Sequence, residues 1–117
     1  MTFIHFRNDF SVDISLSSKA LGTTIDPDFI YSITFFTRPN GKRYKCCYNS
    51  NTLIKKDGYV TAILNNAGLE CGLLKYEVEF ELYSQEYPDY HKRIFQTYPS
   101  DIELVKSNGE TEDIDVQ

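Results

Sequence analysis

Two histidines are the side chains in this sequence best suited to acid–base catalysis. His91 lies two residues after Asp89, a carboxylate that could orient an imidazole as a general base. Two basic residues follow it directly, Lys92 and Arg93, and this setting favours an ordinary surface histidine. His5 lies among apolar residues near the N-terminus, which favours packing or hydrogen bonding. The sequence therefore predicts no catalytic residue and a protein that is not an enzyme.

Three glutamates, Glu77, Glu79 and Glu81, resemble an acidic cluster for metal binding or glycoside chemistry. They alternate strictly with apolar residues, however, and this pattern is typical of the solvated face of a sheet. Three carboxylates on one face repel each other, so we expect a neighbouring strand to supply positive charge. The candidates are Lys42, Arg43, Lys45, Lys92 and Arg93.

The three cysteines do not form a recognisable metal or disulfide motif. Cys46 and Cys47 are neighbours on a predicted strand, so their side chains should point to opposite faces, and Cys71 lies near a loop. A zinc site needs a fourth ligand, and neither histidine has ligand spacing. The glycines are isolated turn residues, which excludes a phosphate-binding loop. We expect no metal and no cofactor.

Composition and charge narrow the class of protein further. The chain has 117 residues, 15% of them aromatic, and a net charge of −5. Residues 107–117 hold four acids and no base, whereas residues 1–106 hold 12 bases and 13 acids. We therefore predict a single domain over 1–106 and a flexible acidic tail over 107–117.

An aromatic and basic stripe near Arg38 could bind single-stranded nucleic acid, but the acidic faces and tail argue against it. No membrane span and no signal peptide are visible, so we expect folding in a cytoplasm.

Strands must position these side chains, because alternation of apolar and polar residues dominates the sequence. Residues 10–16 and 73–83 alternate most clearly. Asn40-Gly41 predicts a hairpin with a two-residue type I′ turn between strands at 29–37 and 42–48. On the first of these strands, one face is expected to hold Phe29, Tyr31, Ile33 and Phe35, and the other Ile30, Ser32, Thr34 and Phe36.

Further strands are predicted at 53–54, 59–64, 91–97 and 101–105, with loops at 65–72 and 85–89. Seven or eight short strands separated by turns predict an all-β fold, an immunoglobulin-like antiparallel β-sandwich. A small closed barrel fits the same pattern.

The order of these strands resembles the N-terminal β-sandwich module of phage baseplate upper proteins and related phage and prophage fibre-attachment domains. The likeness covers about residues 8–105. It rests on Asp9-Phe10 in the first strand, the Pro39-Asn40-Gly41 turn, the Asp57-Gly58 turn, and the strand with Tyr76 and Glu79. The family's glycine directly before the tyrosine strand is displaced here to Gly72.

The resemblance implies a virion structural or adaptor protein of the tail, baseplate or fibre-attachment region, with no catalytic residue. The family modules normally precede a long fibre region, so this chain is expected to be a free-standing piece assembled in the host cytoplasm. Its expected partners are other virion proteins and further copies of itself.

Two exposed regions are candidates for partner contacts, although plain solvated surface explains both. They are the predicted hairpin (Arg38, Asn40, Lys42, Arg43) and the turn with Tyr87 and Tyr90. Residues 1–7 could add a strand to a partner. The alternative function is a carbohydrate-binding sandwich that stacks sugars on Tyr48, Tyr87, Tyr90 or Tyr98, although the absence of Trp counts against it.

Overall fold

The computed structural model describes residues 1–18 and 23–106, and the predicted acidic tail at 107–117 lies outside these ranges. The prediction of an all-β fold is confirmed, and eight of the strands have three residues or more. The strands are β1 (Thr2–His5), β2 (Phe10–Ile14), β3 (Ser17–Ser18), β4 (Thr23–Thr24), β5 (Ile30–Phe36), β6 (Arg43–Cys47), β7 (Leu53–Lys55), β8 (Val60–Leu64), β9 (Gly72–Tyr83) and β10 (His91–Val105). Single 3-10 turns cover Pro27–Phe29 and Tyr48–Ser50.

The strands form two main sheets and one short ribbon. The large sheet has the order β1-β10-β9-β5-β6, the small sheet has the order β2-β8-β7, and β3 pairs with β4. All described pairings are antiparallel except that of β1 with β10, which is parallel and aligns Thr2 with Ile102. The prediction of a purely antiparallel arrangement was therefore wrong at one edge. The N-terminal residues that could add a strand to a partner form β1, the first edge strand of the large sheet.

One hydrophobic core joins the two main sheets. Ile33, Leu74 and Val78 of the large sheet and Val60 and Ala62 of the small sheet have no exposed surface. The alternation in the sequence explains this arrangement, since successive side chains of a strand point to opposite faces. A shift of one residue in register would move every one of these side chains into solvent, so the apolar stripes also fix the strand pairing.

The start of β5 corrects the predicted faces of that strand. The ladder with β9 shifts by one residue between Ile30 and Ser32. Because of this bulge, Ile30 is buried in the core with Ile33 and Phe35, and Tyr31 turns to the outer face of the sheet. A bulge interrupts strict alternation, so a pattern of period two assigned Ile30 and Tyr31 to the wrong faces.

The hairpin between β5 and β6 is present, but its turn differs from the prediction. The ladder closes at Phe36 and Arg43, which leaves a six-residue loop at 37–42. Neither Asn40 nor Gly41 has a positive φ, so the type I′ assignment was wrong. Gly41 lies against Glu70, and a Cβ at Gly41 would require the carboxylate of Glu70, the end of a flexible side chain, to shift.

The last two predicted strands form one strand, β10, with an irregularity between Pro99 and Glu103. There the Ser100 hydroxyl donates a hydrogen bond of 2.6 Å to the carbonyl of Leu74, a residue without a Cα partner in the ladder with β10. The side chain thus joins β10 to β9 where the regular pairing is interrupted.

Candidate functional site

The six side chains predicted to contact partners fall into two groups at opposite ends of β9. Arg38, Asn40, Lys42 and Arg43 lie in or beside the loop that follows Phe36, and Phe36 pairs with Lys75. Tyr87 and Tyr90 lie in the loop that joins β9 to β10, beyond the pair formed by Tyr83 and His91. From Lys75 to Tyr83 the strand spans about 26 Å. These two groups are therefore separate surfaces.

The loop at 37–42 is held by Glu70. Nη2 of Arg38 lies 2.6 Å from Oε2 of Glu70, and the backbone N–H of Lys42 donates to Oε1 of the same carboxylate at 3.3 Å. The hydrogen bond from Arg38 is the main reason that the pKa of Glu70 lies below its ordinary value. Glu70 is far from the loop in sequence, and no local pattern marks it as a partner. Arg38 is therefore already paired, while Asn40 and Lys42 are exposed.

Arg43 packs on the outer face of the large sheet. Its guanidinium lies 4.3 Å from the ring centroid of Phe36, and Nη1 lies 3.9 Å from a carboxylate oxygen of Glu77. This cover explains how Phe36 can point away from the core and still be almost fully buried. Arg43 is therefore exposed, but it also stabilises this face of the sheet by covering the Phe36 ring.

A network of charges runs across β9 and β10, as predicted from the three glutamates. Nη1 of Arg93 lies 2.8 Å from Oε2 of Glu79, and Nη2 lies 3.2 Å from Oε2 of Glu81. The Tyr31 hydroxyl donates to Glu81 at 2.7 Å. This hydrogen bond, followed by those from Arg93, lowers the pKa of Glu81. The prediction that a neighbouring strand supplies compensating charge is confirmed.

Residues 81–93, which we call the hairpin arm, extend beyond the last described pairing of β9 with β5 at Phe80. The side chains of Tyr83 and Tyr90 are 64% and 55% exposed and stack with ring centroids 6.1 Å apart. Tyr90 has a φ of 65°, a left-handed conformation that is rare for a bulky residue. Nζ of Lys92 lies 5.9 Å from the ring centroid of Tyr87. The arm thus presents a group of exposed aromatic rings that contact each other and Lys92.

A cavity of about 290 Å³ opens at the base of the arm. Within it the rings of Phe29 and His91 have centroids 6.2 Å apart, and Nδ1 of His91 lies 3.8 Å from Oε1 of Glu81. The lining is mostly apolar and consists of Ile25, Asp26, Phe29, Glu81, Leu82, Tyr83 and His91. The cavity is suited to an aromatic or aliphatic group with one polar atom.

The other residues singled out from the sequence have packing or local roles. The Tyr48 hydroxyl donates to the carbonyl of Ile30 at 2.9 Å, and the Tyr98 ring stacks on Tyr76 with centroids 5.7 Å apart. Neither forms an open platform, in contrast to the expectation for sugar stacking. Nδ1 of His5 accepts a hydrogen bond from the backbone N–H of Arg7 at 3.2 Å.

The adjacent cysteines lie on opposite faces, as predicted. Burial raises the pKa of Cys46 to about 12, and a hydrogen bond with Ser50 lowers the pKa of Cys47. Within residues 1–18 and 23–106, no three His, Cys, Asp or Glu side chains lie close enough together to hold a metal ion. In the same part of the chain, no helix is long and apolar enough to span a membrane.

Comparisons of this chain with protein-family models, with curated proteins and with solved structures gave no significant match.

Proposed function

We propose that this chain is a non-enzymatic structural protein of a phage virion, an adaptor of the tail, baseplate or fibre-attachment region that acts through protein–protein contacts. Its two sheets form a sandwich of immunoglobulin-like type. The chain assembles in the host cytoplasm and remains in the virion. The resemblance of residues 8–105 to phage attachment modules supports the class of protein, and the surface of the molecule supports the mode of action.

This proposal depends on the exposure of three tyrosines in the hairpin arm. Tyr83, Tyr87 and Tyr90 are all at least 40% exposed, although each carries a large apolar ring. Tyrosines of this kind are enriched at protein interfaces, because they bury a large area while keeping a hydroxyl for hydrogen bonding. These three exposed rings, grouped on one arm, are therefore the candidate contact surface.

The separation of the two predicted contact groups is suited to an adaptor. The aromatic arm lies at one end of β9, and the polar loop with Asn40 and Lys42 lies at the other. Two surfaces about 26 Å apart along a strand can each hold a different neighbour. We assign the arm to the tighter contact, because buried aromatic anchors contribute more to binding than exposed polar side chains do.

The experiment is mass spectrometry of particles purified by density gradient from a host that carries the gene. We expect the wild-type chain in the particles at a fixed ratio to the other structural proteins. The Tyr83→Ala/Tyr90→Ala double variant should remain folded and be lost from the particles. The matched control is Phe3→Ala, which removes an equally exposed ring (64%) from the N-terminal strand β1 and should be retained.

The absence of the wild-type chain from purified particles would overturn the proposal. Incorporation of the double variant at the wild-type ratio would overturn the assignment of the arm as the contact surface.

Carbohydrate binding is the alternative function, and the stacked pair of Tyr83 and Tyr90 beside the cavity is the feature that favours it. Exposed aromatic rings can stack on sugar faces. A glycan array separates the two functions: specific binding that Tyr90→Ala abolishes and Phe3→Ala preserves would establish the alternative. We expect no specific glycan binding.

A further inference from the structure

The outer edge of β10 is open over most of its length. β10 begins at His91, but its parallel neighbour β1 pairs with it only from Ile102 onward. In the described part of the chain, residues 91–99 pair with β9 on one side and with no strand on the other. An open edge of this length is a template for an additional strand.

The hydrogen-bond pattern shows which backbone groups face this edge. The N–H of Ser84 donates to the carbonyl of Tyr90 at 2.9 Å, so this carbonyl points toward β9. The N–H of His91, in the same peptide unit, must point away, and it donates instead to the side chain of Asp89. Backbone direction alternates along a strand, so Arg93, Phe95 and Thr97 present both N–H and C=O groups to the open edge.

Pro99 follows Thr97 by two residues, so its backbone also faces the open edge, but a proline has no N–H to present there. Its position on the open side of the strand agrees with the assigned phase, because a proline is tolerated where no ladder bond is lost. The usable edge therefore ends before Pro99, and we call residues 91–97 the free edge.

The free edge has one feature that prevents edge-to-edge pairing, the exposed cation of Lys92, and lacks a proline and a bulge. Natural edges are protected by unpaired charges, prolines and bulges. Here Arg93 forms ion pairs with Glu79 and Glu81 of β9, so its side chain leans away from the open edge, and its guanidinium lies 4.6 Å from the ring centroid of Tyr31. Phe95, in the middle of the free edge, is 60% exposed.

We propose that a second copy of this chain pairs with the free edge, with the two β10 strands antiparallel and a two-fold axis at Phe95. The inference rests on the proposed function and names one of its partners. In this register Phe95 of one copy lies opposite Phe95 of the other, and Arg93 lies opposite Thr97. The pairing forms about six backbone hydrogen bonds between the copies. It joins the two large sheets into one continuous sheet with a self-complementary interface.

Charge and chemistry favour this register over its neighbours. An axis at Arg93 would place like charges directly opposite each other. An axis at Ile94 would place Arg93 opposite Phe95. The Arg93 guanidinium is already held by two carboxylates and by the Tyr31 ring, so it would not be available to pack on Phe95. A register shifted toward the C-terminus would bring Pro99 into the ladder. The axis at Phe95 avoids all three costs and covers the most exposed ring of the strand.

Charge also favours a second copy of this edge over a head-to-tail contact with β6, the other edge of the large sheet. The outer face of β6 carries Arg43 and Lys45, and the outer face of β10 carries Arg93. Pairing β6 with β10 would bring these positive side chains side by side.

Sedimentation equilibrium of the purified full chain tests the proposal. The wild type should have twice the monomer mass of 13.6 kDa. Phe95→Arg places two like charges on the axis, and Thr97→Pro removes an edge N–H that makes no bond to β9, so both variants should be monomeric and folded. Phe3→Arg, a charge at an equally exposed ring outside the free edge, should remain dimeric.

Cysteine cross-linking tests the register, in a Cys47→Ser/Cys71→Ser background. On the axis the two Cα atoms lie about 5.5 Å apart, within the range of a disulfide, so Phe95→Cys should give a covalent dimer on oxidation. Arg93→Cys should not, because residues 93 of the two copies would lie about 13 Å apart along the strands.

A monomeric wild type, or dimers that persist in both Phe95→Arg and Thr97→Pro, would overturn the pairing. Failure of this pairing can be distinguished from failure of the proposed function. A monomer that still enters purified particles overturns only this pairing, whereas a dimer that is absent from particles overturns only the virion assignment.

Discussion

The two ends of the β9–β10 hairpin differ in what surrounds them. Toward the start of β9, Leu74 and Val78 are completely buried between the two sheets. Toward the end of β9, Tyr83 is 64% exposed, and within residues 1–18 and 23–106 no strand pairs with the far side of His91. The two segments belong to the same ladder, but only the first is enclosed by the small sheet and β5. The ladder therefore combines a half that stabilises the fold with a half that is free to bind.

The largest difference between the halves should appear on truncation of a core side chain. Leu74→Ala removes a fully buried side chain, and the resulting cavity should lower the free energy of unfolding by about 3 kcal/mol. The matched control is Leu73→Ala, one residue earlier on the opposite face and 37% exposed, which should cost less than about 1 kcal/mol. Urea denaturation measures both, and equal losses would contradict the burial of Leu74 between the two sheets.

A smaller loss is expected when the charge network of the second half is broken. Arg93→Gln leaves Glu79 and Glu81 without their shared cation, so the urea midpoint should fall, by less than in Leu74→Ala. The loss should shrink in 1 M salt, because screening weakens the repulsion between the two carboxylates. Lys45→Gln, an exposed cation on β6, serves as the control and should leave the midpoint unchanged. A loss that did not depend on salt would argue for packing of Arg93 on Tyr31 as the main contribution.

The same network predicts a pH dependence of stability. The hydrogen bond from Tyr31 and the contacts with Arg93 hold the pKa of Glu81 below its ordinary value in the folded chain. Glu81 therefore contributes stability that is fully present above its unfolded pKa and is lost as the pH falls through its lower, folded pKa. Glu81→Gln should flatten the decline in stability on the acid side, and Glu86→Gln should leave it unchanged. Urea midpoints at a series of acidic pH values measure this, and an unchanged slope in Glu81→Gln would contradict it.

The comparison also shows which features the sequence could predict. Strict alternation over residues 73–83 correctly predicted a strand with three glutamates on its outer face, and these glutamates correctly indicated that a cationic neighbour was needed. Both conclusions depend only on the period of a strand and on charge, which are local properties.

Other features depend on contacts between distant parts of the chain. Gly41 suggested a tight turn, yet it lies against the side chain of Glu70, and nothing near either residue encodes that contact. The bulge at Ile30–Ser32 changes the face of Tyr31 without any proline or glycine to mark it. The open edge of β10 was also beyond prediction, because it depends on where β1 stops pairing.

The smallest effect on stability is expected at Tyr90, where the arm retains backbone strain. The left-handed conformation at φ 65° costs a bulky residue about 1–2 kcal/mol, and stacking on Tyr83 returns about 1 kcal/mol. Tyr90→Gly loses the stacking but relieves the strain, so the free energy of unfolding should change by no more than about 1 kcal/mol. Asn51→Gly is the matched control at a similar φ of 60°, where asparagine is already tolerated.

Incorporation into particles separates the role of Tyr90 in folding from its role in binding. If the ring is retained for contact, Tyr90→Gly should be as stable as the control yet poorly incorporated, whereas Asn51→Gly should be incorporated like the wild type. Strain at a position where the fold gains little from the side chain is typical of functional sites. Equal incorporation of the two variants would show that the ring serves only the arm's own packing.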